Sequence, residues 1–137
     1  MKLILLSQQF YSDHADHKEI MHKPERPYAC LAVRINGYWF AIPFRHNINH
    51  KYCYHTLGNA GLDYSKAVVL ERKEYISSKT ARIEQKEFNL LKGKDSIIQT
   101  GMVNYIKVYK KALANKSNPH YANILANSTL QYFEKYI

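Results

Sequence analysis

Apolar positions in the front half of this chain come in short runs, and in the last third they recur with the period of a helix. Leu3-Ile4-Leu5-Leu6 predicts a short strand over 2–6. Residues 10–27 are polar, and Pro24 and Pro27 restrict the backbone, so they predict a loop or a short helix. Two apolar runs then flank Asn36-Gly37, the pair best suited to a tight hairpin turn because both central residues need positive φ. The hairpin is expected over about 28–44. With a two-residue turn, Ile35 pairs with Tyr38, Val33 with Phe40 and Leu31 with Ile42. The same register carried outward sets Tyr28 opposite Arg45 and Arg26 opposite Asn47. One face, with Ala29, Leu31, Val33, Phe40, Ile42 and Phe44, is predicted core; the other carries Arg26, Tyr28, Cys30, Arg34, Trp39 and Arg45. Asn47 falls on the second face, and alternation points His46 the other way unless a bulge re-aims it.

Beyond the hairpin, Lys51–His55 reads as a short strand and the rest of 50–62, with Gly58 and Gly61, as loop. Ala67-Val68-Val69-Leu70 predicts a buried strand, with Glu74–Ile76 as a possible extension. Ile83, Glu87, Leu90 and Leu91 stand at helical spacing before a stop at Gly93. Ile98, Met102, Tyr105, Ile106, Tyr109 and Leu113 follow the 3.6 period, with Lys107, Lys110 and Lys111 on the polar side. Asn118-Pro119 reads as a cap with a first-turn proline, and Ser128-x-x-Gln131 as a capping box before a last short helix. These elements predict an α+β fold, one compact domain over 1–137, with helices packed on an antiparallel sheet.

Composition narrows the partners. The chain has 137 residues, 46% of them apolar, enough for one real core. Its formal charge of +9 favours a polyanion, most often nucleic acid, although small basic proteins without such a partner are common. Cys30 and Cys53 form no disulfide framework and suit a reducing cytoplasm. The 3–6 run is too short to span a membrane and has no cleavage site within reach, so no membrane partner is expected.

The histidines offer two chemistries. His14-x-x-His17, with His22 nearby, could ligate a metal, but no HExxH pattern or nearby cysteine supports this. Solvated loop histidines are the default there, and no metal or cofactor is expected. Arg45, His46, Asn47, Asn49, His50 and Lys51 form the second group. Metal-free RNA cleavage needs a group on the 2′-hydroxyl, donors for the phosphorane and an acid for the leaving 5′-oxygen. Histidine titrates in the right range, arginine presents a planar fork to phosphate, and lysine a point charge. A solvated basic loop explains the same residues. The 12 tyrosines, with Tyr28, Tyr38, Tyr52 and Tyr54 flanking this segment, could stack on unpaired bases, though core packing is the commoner role.

The order KPERPY, apolar strand, Asn-Gly, YWFAIPFRHNINHKYCY, GLDYSKAVVL and a lysine-rich helical end resembles the toxins of type III toxin–antitoxin systems. These are the ToxN/AbiQ-like endoribonucleases, and the TenpN branch is the most similar. The resemblance covers nearly the whole chain and is most specific at 23–70. It implies a strongly twisted antiparallel sheet related to the Kid/MazF toxins. It also implies metal-independent RNA cleavage to a 2′,3′-cyclic phosphate and a 5′-hydroxyl. A repeated, pseudoknotted RNA antitoxin, cut from its precursor by the toxin, would close with it into a cyclic assembly, often with consequences for phage defence. Cellular or phage mRNA would be the other substrate.

ToxN-type members follow the hairpin proline with a Thr-Ser-x-Lys type segment whose hydroxyl and lysine are catalytic. Here Pro43-Phe44 is followed by Arg45-His46-Asn47-Ile48, which has neither. The family's cationic residue before the first hairpin strand falls on Arg26. On this reading Arg45 and Arg26 bind phosphate, Asn47 or Asn49 orients substrate, and His46 or His50 moves the proton with Lys51 assisting. Lys23, Tyr28, Lys66, Lys107, Lys110 and Lys111 contact the RNA. A non-catalytic RNA-binding module is the alternative, with a metal-dependent hydrolase using His14, His17 and His22 third.

Overall fold

The computed structural model describes residues 2–21 and 28–137. Among them, strands β1 (Leu3–Leu5), β2 (Ala29–Ile35), β3 (Tyr38–Arg45), β4 (Cys53–His55), β5 (Gly61–Asp63) and β6 (Val68–Val69) form one antiparallel sheet. Its order is β1-β2-β3-β5-β4, with β6 also pairing with β3. Helices α1 (Gln8–Asp13), α2 (Gln85–Leu91), α3 (Asp95–Leu113) and α4 (Pro119–Asn127) complete the α+β architecture. A single apolar cluster runs from Ile4 to Phe133. No helix of the described residues is long and apolar enough to cross a membrane.

The hairpin forms in the expected register, with Ile35 on Tyr38, Val33 on Phe40 and Leu31 on Ile42. Asn36 and Gly37 take the positive φ that this turn demands, 52° and 83°. At the far end the expectation fails. The β2–β3 ladder stops at Cys30 and Pro43, and β3 turns to a different neighbour, with Phe44 on Leu62 and Arg45 on Gly61. Asn47, at φ 57°, then leads the chain away from the sheet. Tyr28 and Arg45 are therefore not ladder partners, and Arg26, Lys23 and His22 lie outside the described residues. Among the described residues the second hairpin face is exposed at Arg34 and Trp39 only, since Cys30 and Pro43 are buried at its base.

Gly61 and Leu62, expected as loop, form with Asp63 the strand that rearranges this end. Gly61 explains why β4 can approach so closely: a Cβ there would stand 2.9 Å from the carbonyl carbon of Tyr54. Gly61→Ala is expected to cost roughly 1–3 kcal/mol, the usual range for overpacking, read as a lower urea midpoint. An unchanged midpoint would show that β4 can shift without loss.

The extension expected at 74–76 is a 3-10 turn, Lys73–Tyr75, and only an isolated bridge joins Ile76 to Leu6. The buried Tyr75 ring turns inward there, and its hydroxyl donates to Asp13 at 2.7 Å. On α3, Ile98, Met102, Tyr105, Ile106 and Tyr109 are buried as their spacing predicts. Gly101 lets Tyr64 lie across that helix, where its hydroxyl donates to the Ile98 carbonyl at 3.0 Å. This contact fixes the 3-10 turn Tyr64–Lys66 against α3. The Asn118 side chain caps α4 by accepting from the His120 amide, 2.9 Å. Ser128 accepts from the Leu130 amide, but Gln131 closes the end of α4 by donating to the Leu125 carbonyl at 3.2 Å and does not reach back to the Ser128 amide.

Candidate active site

β5 brings the chemistry together because it pairs with β3 on one side and β4 on the other. Asp63, its last residue, has no exposed surface. The carboxylate opens the Tyr64–Lys66 turn, where Oδ1 accepts from the Ser65 amide at 2.9 Å and the Ser65 hydroxyl at 2.6 Å. Oδ2 accepts from Arg45 Nη1 at 2.6 Å. His50 Nε2 stands 3.2 Å from Oδ1 and 3.3 Å from Oδ2. A buried carboxylate is tolerable only with such a set of donors and a paired cation.

The same bonds orient the groups around Asp63. His50 Nδ1 accepts from the Tyr52 amide at 3.0 Å, which assigns the ring proton to Nε2, facing Asp63 and, at 3.3 Å, the Ser65 oxygen. Both imidazole nitrogens are thus engaged. Arg45 commits Nη1 to Asp63 and also lines the space above.

That space is a cleft of about 400 Å³. Arg45, Asn49, His50, Ser65 and Lys66 line it from the sheet side. Tyr52, Tyr105, Asn123, Ile124 and Asn127 complete its walls. Lys66 reaches in from the Tyr64–Lys66 turn and donates to the Asn127 carbonyl at 2.9 Å. Burial pulls its ammonium below the ordinary lysine range. Tyr105 donates to Ser128 at 2.8 Å, and burial pushes its phenol up to about 12, so it stays protonated. Its ring lies 5.4 Å from that of Tyr52, an aromatic wall opposite the cations.

Of the residues expected from the sequence, Arg45, Asn49, His50 and Lys66 converge on the cleft. Lys51 sits beside it, 5.6 Å over the Tyr52 ring, in an adjoining hollow. His46 does not join them. Strand alternation carries it to the opposite face, where its ring meets Phe44 at 5.6 Å and lines a separate hollow with Tyr28. Asn47 is exposed in its turn. Lys107, Lys110 and Lys111 are exposed along α3, outside the cleft, and Lys111 lies 6.0 Å over the Tyr121 ring.

His14 and His17 are not solvated loop residues. His14 is buried against Phe10 and Tyr75, its Nδ1 is 2.9 Å from that of His17, and His17 stacks on Tyr132 at 4.0 Å. No group of three or more His, Cys, Asp or Glu is placed to hold a metal among the described residues.

Asp63, Ser65, Tyr105, Asn123 and Asn127 escaped the sequence reading. One signal was available: Asp63 is a lone acid in an apolar stretch, with a serine two residues on, the spacing at which an aspartate caps its own turn.

No protein-family model matches the sequence, and no curated protein matches it. By structure the chain is similar to ToxN, solved with its RNA antitoxin in work on a processed non-coding RNA that regulates a bacterial antiviral system. The TM-score is 0.61, over 81% of this chain and 87% of that one. The fold is ToxN-like. At 13% identity, the likeness lies in the arrangement of elements and not in shared side chains. Ser65 and Lys66, from the turn after β5, line the cleft together with Arg45.

Proposed function

We propose that the chain is a metal-independent endoribonuclease toxin, held inactive by a repeat RNA antitoxin and active on cellular or phage mRNA. The observation that carries this reading is the buried Asp63, which fixes Arg45, His50 and Ser65 at the floor of a cleft shared with Lys66. The ToxN-like fold and the charge of +9 support it.

Cleavage forms a bond from the ribose 2′-oxygen to phosphorus and breaks the bond from phosphorus to O5′. The 2′-hydroxyl loses a proton and O5′ gains one. Ser65 directs its own proton at Asp63 and so presents oxygen lone pairs toward the cleft. The 2′-proton passes to that oxygen as the serine proton passes to Asp63. Arg45 stabilises the charge on the phosphorane, and Lys66 protonates O5′. His50, held at both nitrogens, is a positioning residue. Asn49 orients the substrate, Tyr52 and Tyr105 stack on bases, and Lys51, Lys107, Lys110 and Lys111 track the backbone.

Expression in a bacterium lacking the antitoxin tests this. Wild-type chain is expected to arrest growth, and a co-expressed repeat RNA encoded beside the gene is expected to restore it. Arg45→Lys, which keeps a cation beside Asp63 but loses the guanidinium fork, should relieve the arrest while remaining folded, with cleavage reduced about 10²-fold or more, the scale for losing one transition-state donor. Harmless expression of the folded wild type would favour an RNA-binding module without catalysis.

A further inference from the structure

The opposite face at the end of β3 carries a second hollow, about 470 Å³ in volume, that the cleavage reading leaves unused. Tyr28, Phe44 and Ile83 line it with the charged or titratable His46, Arg82, Glu84 and Glu87. Glu87 is 4% exposed, and its Oε2 is buried without a hydrogen-bond partner among the described residues. The contrast with Asp63, which gathers donors on both oxygens, is sharp. An acid in the first turn of a helix is ordinary, but such acids normally stand in water. A buried acceptor without a donor carries a desolvation cost that a ligand bringing N–H groups would relieve.

The lining specifies that ligand. A metal ion would need further ligands, and no such group of acids, histidines or cysteines exists among the described residues. A cationic side chain would find the exposed Glu84 at the edge of the hollow but would also face Arg82 and His46, on a chain of net charge +9. What fits is a neutral donor edge for Glu87, a flat apolar ring for Phe44, Tyr28 and Ile83, and an anion for Arg82 and His46. A nucleotide has all three parts. Among the bases, guanine alone offers two adjacent donors, N1–H and the N2 amino group, that match both oxygens of a carboxylate. Adenine and cytosine set an acceptor beside their amino group, and uracil flanks its single N–H with two carbonyls.

We propose that this hollow is a guanine-binding subsite for RNA, with Glu87 reading the base edge and Arg82 and His46 meeting the phosphate. The proposal rests on the RNA reading above, yet it concerns binding and not cleavage. Because Phe44 and His46 flank Arg45 in sequence, a strand crossing the 45–47 turn would pass from the subsite to the cleft.

Nucleoside monophosphates titrated into the isotope-labelled chain, followed by NMR, provide the test. Guanosine monophosphate is expected to bind about 10-fold or more tighter than the adenosine, cytidine and uridine forms, shifting signals of Phe44, His46 and Arg82. Glu87→Gln should erase that preference. Equal binding of all four, or a preference that survives Glu87→Gln, overturns the proposal. Should the variant fail to fold, the wild type still decides. Inosine monophosphate lacks the N2 donor and is expected to bind about 10-fold more weakly than guanosine monophosphate, and equal binding would refute the subsite. Selective guanine binding by a chain that cuts no RNA would leave the subsite standing and remove the nuclease. RNA cutting without guanine binding would do the reverse.

Discussion

Asp63→Ala is expected to destabilise the fold by roughly 3–5 kcal/mol and to abolish RNA cleavage, because one carboxylate holds Arg45, Ser65 and His50 at the floor of the cleft. Its removal strips the acceptor from Arg45 Nη1, the Ser65 hydroxyl, the Ser65 amide and His50 Nε2 together. Arg45 and His50 are partly exposed and can turn to water, so their own loss is limited. The Ser65 amide cannot, since it starts a buried turn pinned to α3 through Tyr64. Asp63→Asn keeps the shape but turns an acceptor into a donor facing Arg45 or Ser65, and is expected to lose stability as well. Urea denaturation followed by circular dichroism measures the first effect. A loss below about 1 kcal/mol for Asp63→Ala would mean that the network is far weaker than its geometry implies.

The second large effect concerns Lys66. Lys66→Ala is expected to slow cleavage by about 10²–10⁴-fold, the range for removing a general acid, with little change in stability. Its main bond is a single donation to the Asn127 carbonyl, which water can replace. Lys66→Arg separates charge from proton donation: arginine keeps the cation but does not give up a proton near neutral pH. Binding should therefore survive in Lys66→Arg while turnover is lost. The pH dependence has a fixed sign. An acid must be protonated to act, so the rate falls as pH rises through the lysine's titration. Burial sets that fall below the ordinary lysine range. Lys66→Ala should flatten this limb of the pH–rate profile; an unchanged limb would assign the acid to another group.

Local rules were enough for the hairpin but not for the site. Asn36-Gly37 fixed the turn, and with it the register from Ile35–Tyr38 down to Leu31–Ile42, because a two-residue loop leaves no other pairing. The helices were legible for a similar reason: the spacing from Ile98 to Tyr109 describes one buried stripe. Alternation also sent His46 away from Arg45, as it should along a strand. What the chain did not advertise is the exchange of partners past Pro43. It depends on two ladder pairs, Phe44–Leu62 and Arg45–Gly61, whose residues are 18 and 16 positions apart. Nothing at Arg45 says that its neighbour is Gly61 and its counter-ion Asp63. A glycine beside an apolar residue and an acid reads locally as loop, and Gly61 acts as strand only because β4 closes against it. The resemblance to the ToxN/AbiQ-like toxins anticipated the fold but located the hydroxyl and lysine after the hairpin proline, where this chain has Arg45-His46-Asn47-Ile48. Ser65 and Lys66 reach the cleft beside Arg45 from the turn after β5, a placement visible only in three dimensions.

The central claim is that this cleft cuts RNA by attack of the neighbouring 2′-hydroxyl without a metal. End-group analysis of RNA incubated with the purified chain in excess EDTA tests it most directly. Fragments ending in 2′,3′-cyclic phosphate and beginning with 5′-hydroxyl are expected, and none from the Lys66→Arg variant under the same conditions. Fragments with 3′-hydroxyl and 5′-phosphate ends, or intact RNA with the folded wild-type chain, would contradict it.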